Sequence, residues 1–125
     1  MSNEDPIAVE AGDAAIVSKA MIRAAEQLDI PNHTLAGIIG IPETTVIQMR
    51  LGDAVLPSDA KAFESAILFI RIRSLLSSLT GDHGSASKSW LEIPNTALGE
   101  RPIEVMQADA GLMRIIDDLE SRRNP

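Results

Sequence analysis

Apolar residues recur along this chain at helical spacing and hardly ever in strict alternation. Val17, Met21, Ala24 and Leu28 form a first stripe, with Lys19, Arg23, Glu26 and Gln27 elsewhere on the wheel. Pro31 and Asn32 end that helix and begin the next, with Asn32 read as the N-cap, because a side-chain oxygen there satisfies a free amide. Leu35, Ile38 and Ile39 make a shorter stripe that Gly40 closes. Pro42 then opens a third helix, with Val46 and Met49 inward and Gly52 at its end. After a loop at Pro57, Ser58 is placed to cap a fourth helix reaching about Leu79. Between Ala66 and Ile72 this helix is apolar almost all round. Phe63, Ile67 and Ile70 lie on one stripe, and Leu68, Ile72, Leu75 and Leu79 on another. Burying one such side chain is worth about 1.5–3 kcal/mol, so two stripes predict packing on both sides, against flanking lobes or a second copy of the chain.

Thr80 to Ser87, with Gly81, Asp82, His83, Gly84 and Ser85, reads as a linker. Beyond it a helix from about Ser85 carries Trp90 and Leu91, and Pro94-Asn95 ends it. Leu98-Gly99 makes a turn, and Pro102 opens a helix for Ile103, Val105 and Met106. Asp109 is read as the cap of a last helix in which Leu112, Ile115, Ile116 and Leu119 repeat at i, i+3, i+4 and i+7. No hairpin dipeptide or β-branched alternation appears. The expected fold class is therefore all-α. An acidic, flexible segment over 1–13 precedes a lobe over 14–80 that ends in a long central helix, and a small helical lobe covers 81–125.

Charge and composition narrow the function. A net charge of −7 argues against indiscriminate nucleic-acid binding, and the absence of cysteine excludes disulfides and thiolate metal sites. Met1 to Asp13 carries acids and no base, the reverse of a signal or transit peptide, and the longest apolar run, Ala66 to Ile70, is too short to span a bilayer. A cytoplasmic location is expected. His33 and His83 stand alone, with no second ligand at metal spacing. The small polar residues from Gly81 to Ser87 lack a nucleophile elbow, and Asp117-Asp118 point apart on a helix, as a solvated face would have them. Gly37-Ile38-Ile39-Gly40 imitates the Gly-x-x-Gly loop of KH domains without their strands or bases. Phe63, Phe69 and Trp90 are too few aromatics for a base-stacking platform. No catalytic residue, metal ligand or cofactor site is assigned.

Leu35-Ala36, Gly40-Ile41, Thr45-Val46 and Gly52 resemble the helix-turn-helix of Xre and phage-repressor regulators. A small Ala lets the two helices cross closely, and Gly supplies the left-handed turn between them. That resemblance places the Pro42–Leu51 helix in a DNA major groove, with Thr44, Thr45, Gln48 and Arg50, and Glu43 beside them, as the candidate DNA-contacting residues. Between His33 and Gly52 the bases amount to Arg50 alone, balanced by Glu43, which predicts weak phosphate attraction.

The C-terminal run Trp90-Leu91, Pro94-Asn95, Ala97-Leu98-Gly99, Pro102, Val105-Met106, Gly111 and Ile115 resembles the toxin-binding domain of Xre/MbcA/ParS antitoxins. With the upstream helix-turn-helix, the likeness extends from about Val17 onward. It implies a type II antitoxin that binds and neutralises a RES-domain toxin that degrades NAD⁺, and that represses its own operon through promoter DNA. The chain departs from the family pattern at Ala108, where relatives offer a capping Ser or Thr, and at Asn124-Pro125, where relatives continue into a short tail. Trp90, Pro94, Leu98 and Pro102 are read as fold residues. The candidate toxin-binding residues are Arg101, Arg114, Asp117, Asp118, Ser121, Arg122 and Arg123. A free-standing helix-turn-helix regulator without a toxin is the alternative. A homodimer, or a dimer within a toxin complex, is expected from the apolar surplus of the fourth helix.

Overall fold

The computed structural model describes residues 11–56, 60–81 and 84–123. Within them the chain forms α1 (Ala11–Gln27), α2 (Asn32–Ile39), α3 (Glu43–Arg50), α4 (Ala60–Thr80), α5 (Gly84–Glu92), α6 (Pro102–Val105) and α7 (Gly111–Arg123), with no strand among the described residues. The all-α expectation holds. Ser58, His83 and the first ten residues lie outside the described residues.

Most of the apolar stripe residues found in the sequence are buried. Met21, Ala24 and Leu28 of α1, Leu35 and Ile39 of α2, Val46 of α3, Phe69, Ile72 and Leu76 of α4, and Ile115 and Leu119 of α7 all belong to one hydrophobic core. The centre of that core is α4. α1 and α2 cover it from the N-terminal side, and α5 and α7 from the C-terminal side. Of its two stripes, one has Ile72 and Leu75 buried within the chain, whereas in the other Phe63 and Ile70 are half-buried and Ile67 is exposed. Ile67 and Leu79 are the large apolar residues of α4 left substantially open.

Local devices set the angles between helices. Ser18, buried on α1, donates from Oγ to the Ala14 carbonyl at 2.6 Å and accepts from the Leu56 amide at 2.8 Å, which ties the loop after α3 to α1. Polar contacts also cross from the first helices to the last. The Lys88 ammonium meets the Asp29 carboxylate at 3.1 Å, and Arg73 Nε donates to Gln27 Oε1 at 2.6 Å. Arg71 of α4 pairs with Glu120 of α7. The expected linker shrinks to a short connection, because α5 already begins at Gly84 and Thr80 Oγ1 lies 3.1 Å from Ser87 Oγ.

Two expected caps are not the caps. Pro31, extended at φ −74 and ψ 166, occupies the position before α2, and Asn32 is the first residue inside the helix. At α7 the Ala110 carbonyl accepts the first helical bond, from the Arg114 amide at 3.2 Å, so Asp109 stands one residue too early. Ala110 adopts φ 58, and this sharp entry presses Gly111 against α6. A Cβ on Gly111 would sit 1.6 Å from the Val105 carbonyl oxygen, an overlap that only a backbone shift relieves.

Gly111→Ala is therefore expected to cost about 3 kcal/mol or more, read by urea denaturation. Gly37→Ala is the matched control. Its Cβ would meet only the end of the Gln107 side chain, which can swing away, and Ala gains about 0.5–1 kcal/mol of helix propensity inside α2. Equal stability of the Gly111→Ala variant and the parent chain would refute the close-packing account.

Candidate functional site

The α2–α3 unit has the geometry of a helix-turn-helix. Gly40, at φ 84, ends α2 in the left-handed region, and the Gly40 and Ile41 amides both return to the Ala36 carbonyl, at 2.8 and 3.2 Å. Leu35, Ala36 and Ile39 from α2 meet Val46 and Met49 from α3 in the core, so the relative angle of the two helices is fixed by packing. The Gly-x-x-Gly run is thus the end of a helix and its C-cap, not a loop.

The outer face of α3 carries Glu43, Thr44, Ile47 and Gln48, all exposed, and continues into Leu51 at 70 % exposure. Thr44 and Gln48 stand one turn apart on it, while Thr45 is half-buried. Arg50 does not join them. Its Nη2 donates to the Ile30 carbonyl at 3.0 Å, its Nη1 lies 3.7 Å from the Glu26 carboxylate, and its Nε is buried without a partner. The guanidinium thus fixes the end of α3 to the α1–α2 connection, beside an open cleft of about 600 Å³. The exposed face of α3 therefore holds polar side chains able to hydrogen-bond and apolar ones, but no cation.

In the C-terminal part, the Pro94-Asn95…Leu98-Gly99 run is a turn organised by one side chain. Asn95 Oδ1 accepts from the Ala97 and Leu98 amides at 2.8 and 3.3 Å, and the Asn95 carbonyl accepts from the Gly99 amide at 2.8 Å. That turn drives Leu98 into the core and returns the chain to Pro102 at the start of α6. The free Leu98 carbonyl accepts from Arg114 Nη2 at 3.1 Å, so α7 is clamped to the turn.

Several of the proposed toxin-contacting side chains are held by their own chain. Arg101 pairs with Glu104 at 2.9 Å. That hydrogen bond is the main reason Arg101 is held above its ordinary pKa and Glu104 below the usual carboxylate range. Arg122 pairs with Asp118 at 2.9 Å and lies 5.8 Å over the Trp90 ring. Trp90 is half-buried at the edge of the core, with a cation on its outer face, rather than a central anchor. Asp117, Ser121 and Arg123 are exposed on α7. Met113, 45 % exposed, falls on the same stripe as Asp117 and Ser121 at four-residue steps. Its spacing in the sequence was the signal, though a methionine next to an apolar face reads first as core. Ile93, 60 % exposed beyond α5, was also missed.

No group of three or more His, Asp or Glu that could hold a metal occurs among the described residues. None of their helices is long and apolar enough to cross a membrane.

Comparison with known families accounts for both halves. Residues 8–71 match the antitoxin Xre-like helix-turn-helix domain. Residues 75–124 match the antitoxin Xre/MbcA/ParS C-terminal toxin-binding domain. The chain belongs to the Xre/MbcA/ParS antitoxin family. The two matches meet within α4. A search of curated proteins finds no match.

The geometry separates Arg50 from Thr44 and Gln48 in a measurable way. Arg50→Met removes the bond to the Ile30 carbonyl and should cost about 1–2 kcal/mol in chemical denaturation. Thr44→Ala with Gln48→Ala, on the open face, should stay within about 0.5 kcal/mol of the parent. An Arg50→Met variant as stable as the parent would return Arg50 to the set of free surface cations.

Proposed function

We propose that this antitoxin binds and silences a RES-domain toxin that consumes NAD⁺, that its C-terminal part makes the contact, and that the α2–α3 unit represses its own operon. The observation that carries this reading is the union of a helix-turn-helix and a toxin-binding domain on one shared helix. An inhibitor of this kind needs only to cover the mouth of an enzyme pocket, so it requires no catalytic group of its own. Met113, Asp117 and Ser121 form an open stripe on α7 whose side chains are not committed to the fold, and it is the favoured toxin-facing surface.

DNA contact through α3 is proposed as the weaker activity. Thr44 and Gln48 can hydrogen-bond base edges, but affinity for DNA scales with the number of phosphates neutralised, and the outer face of α3 offers no cation.

Co-expression with the cognate toxin gives the test. Met113→Glu with Asp117→Arg should abolish growth rescue and let cellular NAD⁺ fall. Thr44→Ala with Gln48→Ala should keep rescue and lose the gel shift on the operon promoter. Deleting α7 is not a usable test, because it would strip α4 of a main packing partner and unfold the chain. Rescue by the α7 variant, once circular dichroism has shown it helical, would overturn the assignment of the toxin-facing stripe. A cognate toxin that arrests growth while leaving NAD⁺ intact would overturn the RES assignment.

A further inference from the structure

The outer face of α3 has an apolar centre. Ile47 and Leu51 stand one turn apart on it, 40 % and 70 % exposed. The Leu51 amide returns to the Ile47 carbonyl at 3.2 Å, so Leu51 extends the same helical surface. At about 100° per residue, Thr44 and Gln48 fall on one side of this pair and Glu43 on the other. The opposite side of the helix is taken into the core by Val46 and Met49. Two large aliphatic side chains therefore occupy the middle of the surface that the helix-turn-helix presents, where nothing among the described residues covers them.

Each side chain on this face suits a particular base edge in a DNA major groove. The Gln48 amide sets a donor beside an acceptor, the complement of adenine N7 and N6. Neither Thr44 nor Gln48 uses its side chain in a hydrogen bond to another described residue. The 5-methyl group of thymine is the one methyl on any base edge of that groove, and Ile47, Leu51 and the Thr44 methyl match it. Guanine finds no partner here. Its groove edge carries two acceptors, N7 and O6, which are met by a guanidinium or an ammonium. The one cation of α3, Arg50, is held by the Ile30 carbonyl and Glu26. Glu43 has only acceptors to offer, so a guanine edge repels it.

We propose that α3 reads DNA whose contacted base pairs are A·T, with Gln48 on an adenine and with Ile47 and Leu51 on thymine methyl groups. This rests on the reading of α3 as a DNA-contacting helix and names the sequence class that it takes. A protein seated on Ile47 and Leu51 is the competing occupant. The shape favours DNA, because α3 is a single convex helix backed by α2 and α1, and the major groove has the width to admit one helix.

Selection from a randomised duplex library by the full chain, at low ionic strength where phosphate attraction is least screened, tests this. The bound duplexes should carry A·T pairs at the contacted positions. Replacing thymine by deoxyuridine in such a duplex removes the methyl and keeps every hydrogen bond. It should weaken binding about fourfold for each contacted methyl. Replacing the contacted adenine by 7-deazaadenine, which lacks N7, should weaken it about fivefold. Ile47→Ala with Leu51→Ala should bind thymine and deoxyuridine duplexes equally and still distinguish adenine from 7-deazaadenine. Gln48→Ala should show the reverse pattern. Loss of fold would not produce this exchange, since each variant keeps the sensitivity that the other loses. A chain that selects no duplex at all overturns the DNA reading and the proposal with it. Selected sites rich in guanine under α3, or a bound site indifferent to deoxyuridine, overturn the A·T assignment and leave the DNA reading standing. Loss of growth rescue by the Ile47→Ala, Leu51→Ala variant would seat the toxin on this face in place of DNA and overturn the assignment as well.

Discussion

Most of the middle turns of α4 are apolar, and the rest of the chain is arranged to cover them, leaving only the face of Glu64, Ile67, Arg71 and Ser74 open. Phe69, Ile72 and Leu76 are almost completely buried, with Ala62, Ala66 and Leu75 beside them. At about 25 cal/mol per Å² of apolar surface removed from water, a helix of this kind contributes more to folding than any polar contact on the surface. The ion pairs Lys88–Asp29, between α5 and the α1–α2 connection, and Arg71–Glu120, between α4 and α7, are exposed, and such pairs are worth about 0–1 kcal/mol each. They select the register in which the helices meet, while the core supplies the energy.

That dependence has a functional consequence. The two family regions meet inside α4, so the helix completes the helix-turn-helix on one side and the toxin-binding domain on the other. Buried residues of both halves belong to one hydrophobic core. Any partner that shifts α7 acts on the helix against which α1 and α2 are packed. A rigid shared helix is the shortest physical route between the two faces.

The fold was legible wherever it rested on periodicity. The stripes of α1, α2, α4 and α7 are spaced for helices, and burying them follows from the spacing. The helix starts were less legible, because a cap depends on which residue occupies one backbone position. Pro31 takes that position ahead of Asn32, and Ala110, turned into the left-handed region, takes it ahead of Gly111. Arg50 shows a different limit. In the sequence it is the one base of the recognition helix, but its partners, the Ile30 carbonyl and Glu26, are set by tertiary packing that no spacing rule encodes. Asn95 is the opposite case. Its bonds reach two and three residues along the chain, so the Pro-Asn-x-Ala-Leu-Gly run carries its turn in its own chemistry.

The fate of the arginines explains what is left for binding. A guanidinium offers several donors in a fixed plane, so it is drawn to any free carbonyl or carboxylate within reach. Here Arg50 takes the carbonyl at the end of the α1–α2 connection, Arg114 takes that of Leu98, and Arg122 takes Asp118 and the Trp90 ring. Those cations hold loops and helix ends in place, and the open face of α3 and the Met113 stripe of α7 carry threonine, glutamine, methionine, aspartate and serine but no arginine. On α3 this yields a surface able to discriminate bases by hydrogen bonds but poorly able to attract phosphates. Attraction must then come from outside the helix. A second headpiece raises the effective concentration of the first, and a bound partner can contribute its own cations. α3 by itself therefore supplies hydrogen-bonding groups on its open face but no charge to neutralise phosphates.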